Sequence, residues 1–359
     1  PRYGLGLEER PRYQFAAPDL GMLVHGALRI IGERLLREQK QWHDIPDADV
    51  PAICRQATDE LAPQVQHDIL MSNAYFAQIK ERLIQTLTRT VRRLSAFSAV
   101  SDFHMEGLEK SFGRPGSPWE ALRFTLKNGL QVVVTGQIDR IDTLRQGDHK
   151  YVVIIDYKSG RKQLDISQIF TGLELQLLTY MFVALLNIGG DAIPAAVLYC
   201  YVRNDKVSLE YRVSEEDKKK LYDAKGKLTG FYLDDGQVMQ QLDTSMQGFS
   251  DFLNLRLKKD GTLSDSSHTL YNEAGWSHLL DWAARQIRDI AGHIGDGDIS
   301  IHPILMGQQA PCSYCPYRPV CRFDVAVAGN TYDAAGREDT DEMIQKMFDE
   351  GDDEHGLDE

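Results

Sequence analysis

The sequence has no long apolar run. Nothing in its 359 residues approaches the 18 or more consecutive apolar positions of a membrane-spanning helix, and its first residues do not read as a secretory signal. It also has no G-x-x-x-x-G-K-[ST] string; the nearest, AKGKLT at 224–229, lacks the loop that would cradle a nucleotide's phosphates, so any nucleotide-driven motor must lie elsewhere. Cysteine is scarce and odd in number: Cys54, Cys200, Cys312, Cys315 and Cys321. An odd count without a signal peptide argues against a secreted disulfide scaffold and for a reducing compartment. An excess of positive charge is missing too, since the formal net charge is −13. The stretch 333–359 holds twelve acidic and two basic residues, a net of −10, which leaves −3 for the remainder. A local basic channel in that nearly balanced body remains open.

What is present is a globular composition, 42% hydrophobic, with a core expected for one large domain or two. The chain begins at Pro1 without a methionine, and we expect it to be a piece of a longer protein. Its most informative stretch is Gly136 to Gly160, GQIDRIDTLRQGDHKYVVIIDYKSG. Two apolar runs, Leu130 to Ile141 and Tyr151 to Tyr157, flank a polar segment with Gly147 and Asp148, the pattern of antiparallel strands joined by a turn. Asp139 follows Ile138 near the end of the first run, and Asp156 and Lys158 lie two apart on the second, so the strand period puts those two on one face. An aspartate at a strand end is ordinarily a turn former or a solvated charge. Asp156, however, follows Val152, Val153, Ile154 and Ile155, a run expected in a central strand, where an unpaired carboxylate is costly. A divalent cation together with Lys158 would compensate it. Carboxylate-held Mg²⁺ acidifies a bound water and relieves charge on phosphate oxygens, and a lysine beside it can orient that water or neutralise developing charge. Simple metal binding without turnover is the alternative chemistry.

Other elements fall around this stretch. Asp19 caps a helix with apolar positions Leu20, Val24, Ala27, Leu28, Ile31 and Leu35. His25 lies beside that stripe, near Gly21 and Gly32, whose small size would permit close approach; alone, such a histidine reads as a packed one. Residues 40–66, broken by Pro46, Pro51 and Pro63, read as turns and a short helix holding Cys54, followed by a long amphipathic helix from Gln66 to Phe97 whose outer face carries Arg82, Arg89, Arg92 and Arg93. That face reads as solvated, with phosphate contact the other option. Strand patterns follow near 103–112 and 119–126. A helix from Gln168 to Leu186 places Gln176 and Tyr180 four apart on one face. Ala195 to Arg203 is a buried strand with Cys200 as a core thiol, and a further helix runs from Glu273 to about Ile294. Beyond Asp333 we expect a frayed acidic tail with one helix at Glu342 to Phe348.

Cys312, Cys315 and Cys321 are spaced C-x2-C-x5-C, a strong metal signal. Zinc would take a fourth ligand such as His302, whereas an iron–sulfur cluster favours a fourth cysteine, for which Cys54 is a better candidate than Cys200.

Taken in order, G-x-x-x-H (Gly21 to His25), G-x-I-D-R-I-D (Gly136 to Asp142), D-Y-K-S-G (Asp156 to Gly160), Q-x-x-x-Y (Gln176 to Tyr180) and the closing cysteines resemble the RecB-type branch of the PD-(D/E)XK nucleases. More closely, the chain is similar to the C-terminal nuclease domains of the AddB components of bacterial AddAB helicase-nucleases. The resemblance implies an α/β, restriction-endonuclease-like core, a mixed β-sheet flanked by helices. The nuclease domain would span 1–332, with a helical insertion at about 40–100 and a cysteine-rich staple at 311–324, and 333–359 would be a flexible tail. It implies Mg²⁺- (or Mn²⁺-) dependent cutting of single-stranded DNA fed by an AddA-type helicase-nuclease partner, in end resection and recombinational repair, in the bacterial cytoplasm at the nucleoid. His25, Asp139, Asp156 and the backbone carbonyl of Tyr157 would bind metal, Lys158 would be the catalytic lysine, and Gln176 and Tyr180 would support the site and contact the strand. Cys312, Cys315 and Cys321 would be three ligands of a [4Fe-4S] staple. In the family the first cysteine lies upstream of the segment matched by RYGLGLEER, so here we expect an incomplete or differently ligated cluster, with disorder or altered metal content around Cys312 to Cys321. Two other readings are a non-catalytic DNA-end-binding module on the same fold and a stand-alone RecB-like exonuclease of the CRISPR-associated kind.

Overall fold

Apolar residues at helical spacing from Leu20 to Leu35 fold as helix α1 (Ala17–Arg37), with Asp19 in its first turn and Arg34 and Arg37 in its last, where each charge suits the helix dipole. The structure is a computed structural model that describes residues 17–64, 70, 72–160, 164–202, 214, 226–264, 268–306, 310–335 and 339–352. The RYGLGLEER segment therefore lies outside the described residues. After a 3-10 turn at Trp42–Asp44, α2 (Val50–Leu61) and α3 (Ala74–Ser98) pack on α1 and on each other. Helix α3 starts at Ala74 rather than in the sixties because Asn73 caps it, its side chain accepting the Phe76 N–H at 3.1 Å. The buried apolar residues described between Trp42 and Phe97 belong to the same apolar cluster as those of the sheet. Two of the arginines on α3 have structural partners: Arg92 pairs with Asp47 at 2.7 Å, and Arg93 donates to the Asp251 carbonyl at 3.0 Å.

The main sheet has six strands in the order β1 (His104–Phe112), β4 (Gly136–Gln146), β5 (His149–Lys158), β6 (Ala192–Tyr201), β7 (Thr229–Leu233) and β8 (Leu270–Tyr271). It is mixed: β5–β6 and β7–β8 are parallel and the other neighbours antiparallel. Val152 to Ile155 are fully buried, as expected of a strand covered on both faces. Leu108 and Arg140, partners in the β1–β4 register, face α1 and Trp42. Against β5 and β6 lies α5 (Gln176–Ile188), with α7 (Glu273–Gly295) packed on α5.

Several elements differ from the sequence reading. The first apolar run is two strands: β3 (Gln131–Val133) pairs with β2 (Arg123–Thr125) as a separate ribbon, and β4 starts at Gly136, where an added Cβ would come within 2.5 Å of the Phe112 ring. The helix expected from Gln168 is split by Gly172, at φ +73°, into α4 (Ile166–Phe170) and α5, which leaves Gln176 as the first residue of α5. A short helix α6 (Gly236–Leu242) follows β7. Near the C-terminus, β9 (Ile304–Met306) and β10 (Asp333–Ala335) form a small parallel ribbon, with α8 (Arg318–Cys321) between them in the sequence. The flexible tail expected past Asp333 is corrected where it is described. Helix α9 (Thr340–Asp352) docks on α7 and α4, burying Met343 and Met347 and stacking Phe348 on His278 at 4.8 Å. Its apolar residues recur at helical spacing, which compensates the acidic composition around them. Among the described residues no helix is long and apolar enough to cross a membrane.

Candidate active site

The site forms where two strands part. The β4–β5 ladder runs from Gln146↔His149 to Arg140↔Ile155 and stops; the next residues in that register are Asp139 and Asp156. In place of a ladder bond, the Asp139 carboxylate reaches across and its Oδ2 accepts the Tyr157 N–H at 2.8 Å. The N–H and C=O of one strand residue point to the same edge, so the Tyr157 carbonyl also faces this fork. The Tyr157 ring is turned to the opposite face, buried beside Arg140.

His25 enters from α1, its Nδ1 3.2 Å from Asp139 Oδ2 and its ring edge-on to that of Tyr157. Gly21, one helical turn earlier, lies against Ser159 of the D-Y-K-S-G segment, and at Gly32 an added Cβ would come 2.3 Å from Leu108. The small residues thus seat α1 where His25 can reach the fork.

On the other side, the Lys158 ammonium lies 2.6 Å from Asp156 Oδ2, donates to Gln176 Oε1 at 2.9 Å, and sits 5.4 Å from the centre of the Tyr199 ring. The short Lys158–Asp156 approach is off the direction of a hydrogen bond, so the buried Asp156 Oδ2 has a charge beside it but no directed donor. Because Gln176 accepts from Lys158, its amide is oriented to donate from Nε2 to the Tyr180 hydroxyl at 2.9 Å, leaving the phenol proton for another acceptor. Behind Lys158, the buried Tyr199 hydroxyl donates to Glu174 at 2.6 Å.

One member of the cluster was not singled out by the sequence reading. Glu109 on β1 gathers with His25 and Asp139 so that one ligand atom from each lies within 4.8 Å of the others, the only such group among the described residues. The flanking pairs Leu108↔Arg140 and Lys110↔Ile138 set Glu109 opposite Asp139, and Gln137 donates to its Oε2 at 2.5 Å. Its backbone is left-handed, with φ +47°, unusual for a residue with a side chain. In the sequence it is one of two acids in FHMEGLEKSF, and only strand pairing distinguishes it.

Negative charge is in excess here. Burial, then the charge of Asp139, pushes the Glu109 carboxyl up to about 7, against the pull of His25 and Arg29. Burial and Asp139 likewise raise Asp156 to about 6, against Lys158 and His25. Burial draws the His25 imidazole down, but its hydrogen bond to Asp139 and the charges of Asp139, Asp156 and Glu109 outweigh that, and its pKa is raised. Burial takes Tyr180 up to about 12. A crowded set of oxygen donors with one imidazole, including a buried carboxylate oxygen without a directed donor, fits a divalent cation.

Residues 2–322 match the PD-(D/E)XK nuclease superfamily. The chain belongs to that superfamily. The sequence carries a D-x-K string as Asp156-Tyr157-Lys158, and the fork sets it beside Asp139. The chain is also similar to curated proteins of the AddB type, whose names describe them as subunits of an ATP-dependent helicase/deoxyribonuclease. It is 33% identical over 356 residues to that of Bacillus pumilus (98% of this chain, 30% of the relative). It is 36% identical over 338 residues to that of Moorella thermoacetica (93% and 29%), and 34% identical over 335 residues to that of Bacillus subtilis (92% and 29%). The chain spans about three tenths of the length of these relatives. PD-(D/E)XK nucleases generally use divalent metals, in keeping with the donor set at the fork.

The cysteines fit a cofactor less well. The segment around them is folded rather than disordered: Cys312 lies in a 3-10 turn, Pro311–Ser313, and Cys321 ends α8. Cys312 and Cys315 are half-buried and Cys321 is exposed. A tetrahedral zinc site holds its sulfurs about 3.8 Å apart, from Zn–S bonds of about 2.3 Å, and the three sulfurs do not gather that closely. His302 faces Asp333 at 3.9 Å. Cys54 is corrected as a fourth ligand, since it is enclosed in the core on α2 and burial pushes its thiol up to about 11. Cys200, buried in β6 with its thiol also raised to about 11, is the core thiol expected. The described residues therefore offer three thiolates and no fourth.

Proposed function

We propose that this chain is a DNA nuclease domain that hydrolyses phosphodiester bonds with Mg²⁺ (or Mn²⁺), acting on single-stranded DNA. The observation that carries the reading is the fork, where Asp139, Asp156 and the Tyr157 carbonyl edge face one another with His25 on one side and Lys158 on the other. His25, Asp139, Asp156 and the Tyr157 carbonyl are proposed to hold the cation, which when bound lowers the pKa of water and draws charge from the non-bridging oxygens. Lys158, held by Asp156, Gln176 and the Tyr199 ring, places a fixed positive charge where the transition state gains negative charge. Gln176 fixes that ammonium and orients Tyr180, whose remaining proton can be donated to a backbone phosphate. The names of the similar proteins support a setting as a subunit of a helicase/deoxyribonuclease; we further propose that an AddA-type helicase partner supplies the strand, in double-strand-break resection and recombinational repair in the bacterial cytoplasm at the nucleoid. Cys312, Cys315 and Cys321 are proposed as three ligands of an iron–sulfur centre, for which the described residues offer no fourth cysteine outside the core.

End-labelled single-stranded DNA with Mg²⁺ tests the reading directly. Wild type should cut, whereas Asp156→Ala and Lys158→Ala, each retaining the folded circular dichroism spectrum, should lose cleavage by at least about 100-fold. Undiminished cutting by either folded variant would sink the assignment. Binding of DNA ends by wild type without metal-dependent cleavage would support a non-catalytic end-binding module instead.

A further inference from the structure

One turn of chain holds Lys158 in two ways. Between α4 and α5 the backbone turns at Gly172, and the N–H groups of Leu173 and Glu174 both donate to the Gln168 carbonyl, at 2.8 and 3.1 Å. The turn is seated on α7, where Gly172 lies against Gln286 and Ile290. It delivers two polar side chains toward β5 and β6. Gln176 accepts directly from the Lys158 ammonium. Glu174 reaches the same ammonium through Tyr199: its Oε1 accepts the Tyr199 hydroxyl at 2.6 Å, and Lys158 Nζ lies over that ring, 5.4 Å from its centre.

In the parallel β5–β6 ladder Asp156 pairs with Tyr199 and Lys158 with Tyr201, so the acid, the lysine and the ring share one face of the sheet. Glu174 is 3% exposed and Tyr199 is fully buried. Burying an acid is costly unless it is bonded, and an apolar pair of the same shape would fill this space without that cost. The polar pair has a use that an apolar pair lacks. A phenol whose proton goes to a carboxylate has a more electron-rich ring, and an ammonium over that ring is held more firmly. Burial first, then the Glu174 bond, raise the Tyr199 pKa, so the phenol keeps the proton it donates.

We propose that Glu174 is a positioning residue of the nuclease centre: by fixing the Tyr199 hydroxyl it holds the ring on which the Lys158 ammonium rests, and so sets where that charge meets the phosphate. The proposal deepens the nuclease reading and rests on it.

Two measurements test it, the first without metal or DNA. In protein carrying lysine isotopically labelled at the ε-carbon, the resonance missing from Lys158→Ala belongs to Lys158 and should carry the ring-current shift imposed by Tyr199; Glu174→Ala should lose most of that shift. On single-stranded DNA with Mg²⁺, the same variant should lose about 10–100-fold in kcat with KM nearly unchanged. Glu174→Gln, whose amide oxygen can still accept the hydroxyl, should recover much of both. Tyr199→Phe, which keeps the ring without its hydroxyl, should match Glu174→Ala, and the double variant should lose no more than either single one. If Glu174→Ala fails to fold, Glu174→Gln and Tyr199→Phe provide the measurement. Folded variants that keep both the Lys158 resonance and kcat, however far their melting temperature falls, would overturn the proposal, because Glu174 would then only staple the core. Additive losses in the double variant would overturn it as well. A wild-type chain that does not cut contradicts the nuclease reading itself, whereas a wild-type chain that cuts, with Lys158 unmoved in the variants, contradicts only the role of Glu174.

Discussion

Replacing Asp156 by asparagine should stabilise the metal-free protein while removing its activity. Burial and the Asp139 charge raise the Asp156 carboxyl from the ordinary 3.8 to about 6, so its ionised form is disfavoured in the folded chain. Such a raised carboxylate imposes no penalty below its unfolded pKa; the penalty develops as pH rises through the folded value and is complete above it. The window runs from about 4 to 6, and at pH 8 the full cost is about 3 kcal/mol. That cost is already net of the opposing pull of Lys158 on the Asp156 carboxylate, so asparagine removes it whole. The gain is about 2–3 kcal/mol, or about 3–4 °C in melting temperature at about 2.1 cal/mol/K of unfolding entropy per residue over 359 residues. Thermal and urea unfolding in EDTA should show this advantage at pH 8 and its disappearance by pH 4. Saturating Mg²⁺ should reverse the order, because wild type gains the linked binding energy and the variant gains less. If Asp156→Asn is no more stable than wild type at pH 8 in EDTA, the excess negative charge argued for the fork is not there.

Two further outcomes follow from the surroundings of the fork. Arg140 and Asp142 form a bidentate pair, both bonds 2.7 Å and both side chains 2% exposed; Arg140→Met leaves a buried carboxylate unpaired and should cost about 3–5 kcal/mol in urea unfolding, whereas a change under 1 kcal/mol would mean water reaches Asp142. Purified under anaerobic conditions, the chain should carry fewer than four irons, because Cys54 and Cys200 are buried and three thiolates remain; a stable chromophore with four irons per chain would show that a fourth ligand exists within it.

The elements legible in the sequence were those set by local pattern. The β4–β5 turn at Gly147, the apolar run Val152 to Ile155 and the Gln176–Tyr180 spacing all declare themselves within a few residues, and the order of motifs placed the family. Boundaries failed where a single residue decides them: the Asn73 cap shortened α3, Gly172 split the helix before Gln176, and Gly136 had to be glycine because Phe112 lies against it. Helix α9 was legible at Glu342 to Phe348, but its docking was not, because its few apolar residues are outnumbered by acids although they share one face. Glu109 was illegible for a different reason. Nothing local separates it from Glu106 in the same strand, whose carboxylate meets Thr143 and Lys150 instead. Its role depends on a register with β4 that only the folded sheet defines.

The fork itself explains why this site lies at the end of a ladder and not in its middle. A paired strand spends its N–H and C=O groups on its neighbour, and carboxylates inside it would meet only apolar side chains. Where β4 and β5 separate, the Tyr157 amide and carbonyl edge becomes available, and Asp139 can satisfy the amide while keeping its second oxygen for another partner. One residue inward, the strand face belongs to the core and Arg140 is matched internally by Asp142. One residue outward, Lys158 reaches toward α5 and solvent. The transition from a neutralised core to a charge-rich opening thus takes place over three residues of each strand. Only at that boundary can an acid be buried enough to attract a cation and still stand next to the water and phosphate on which the cation would act.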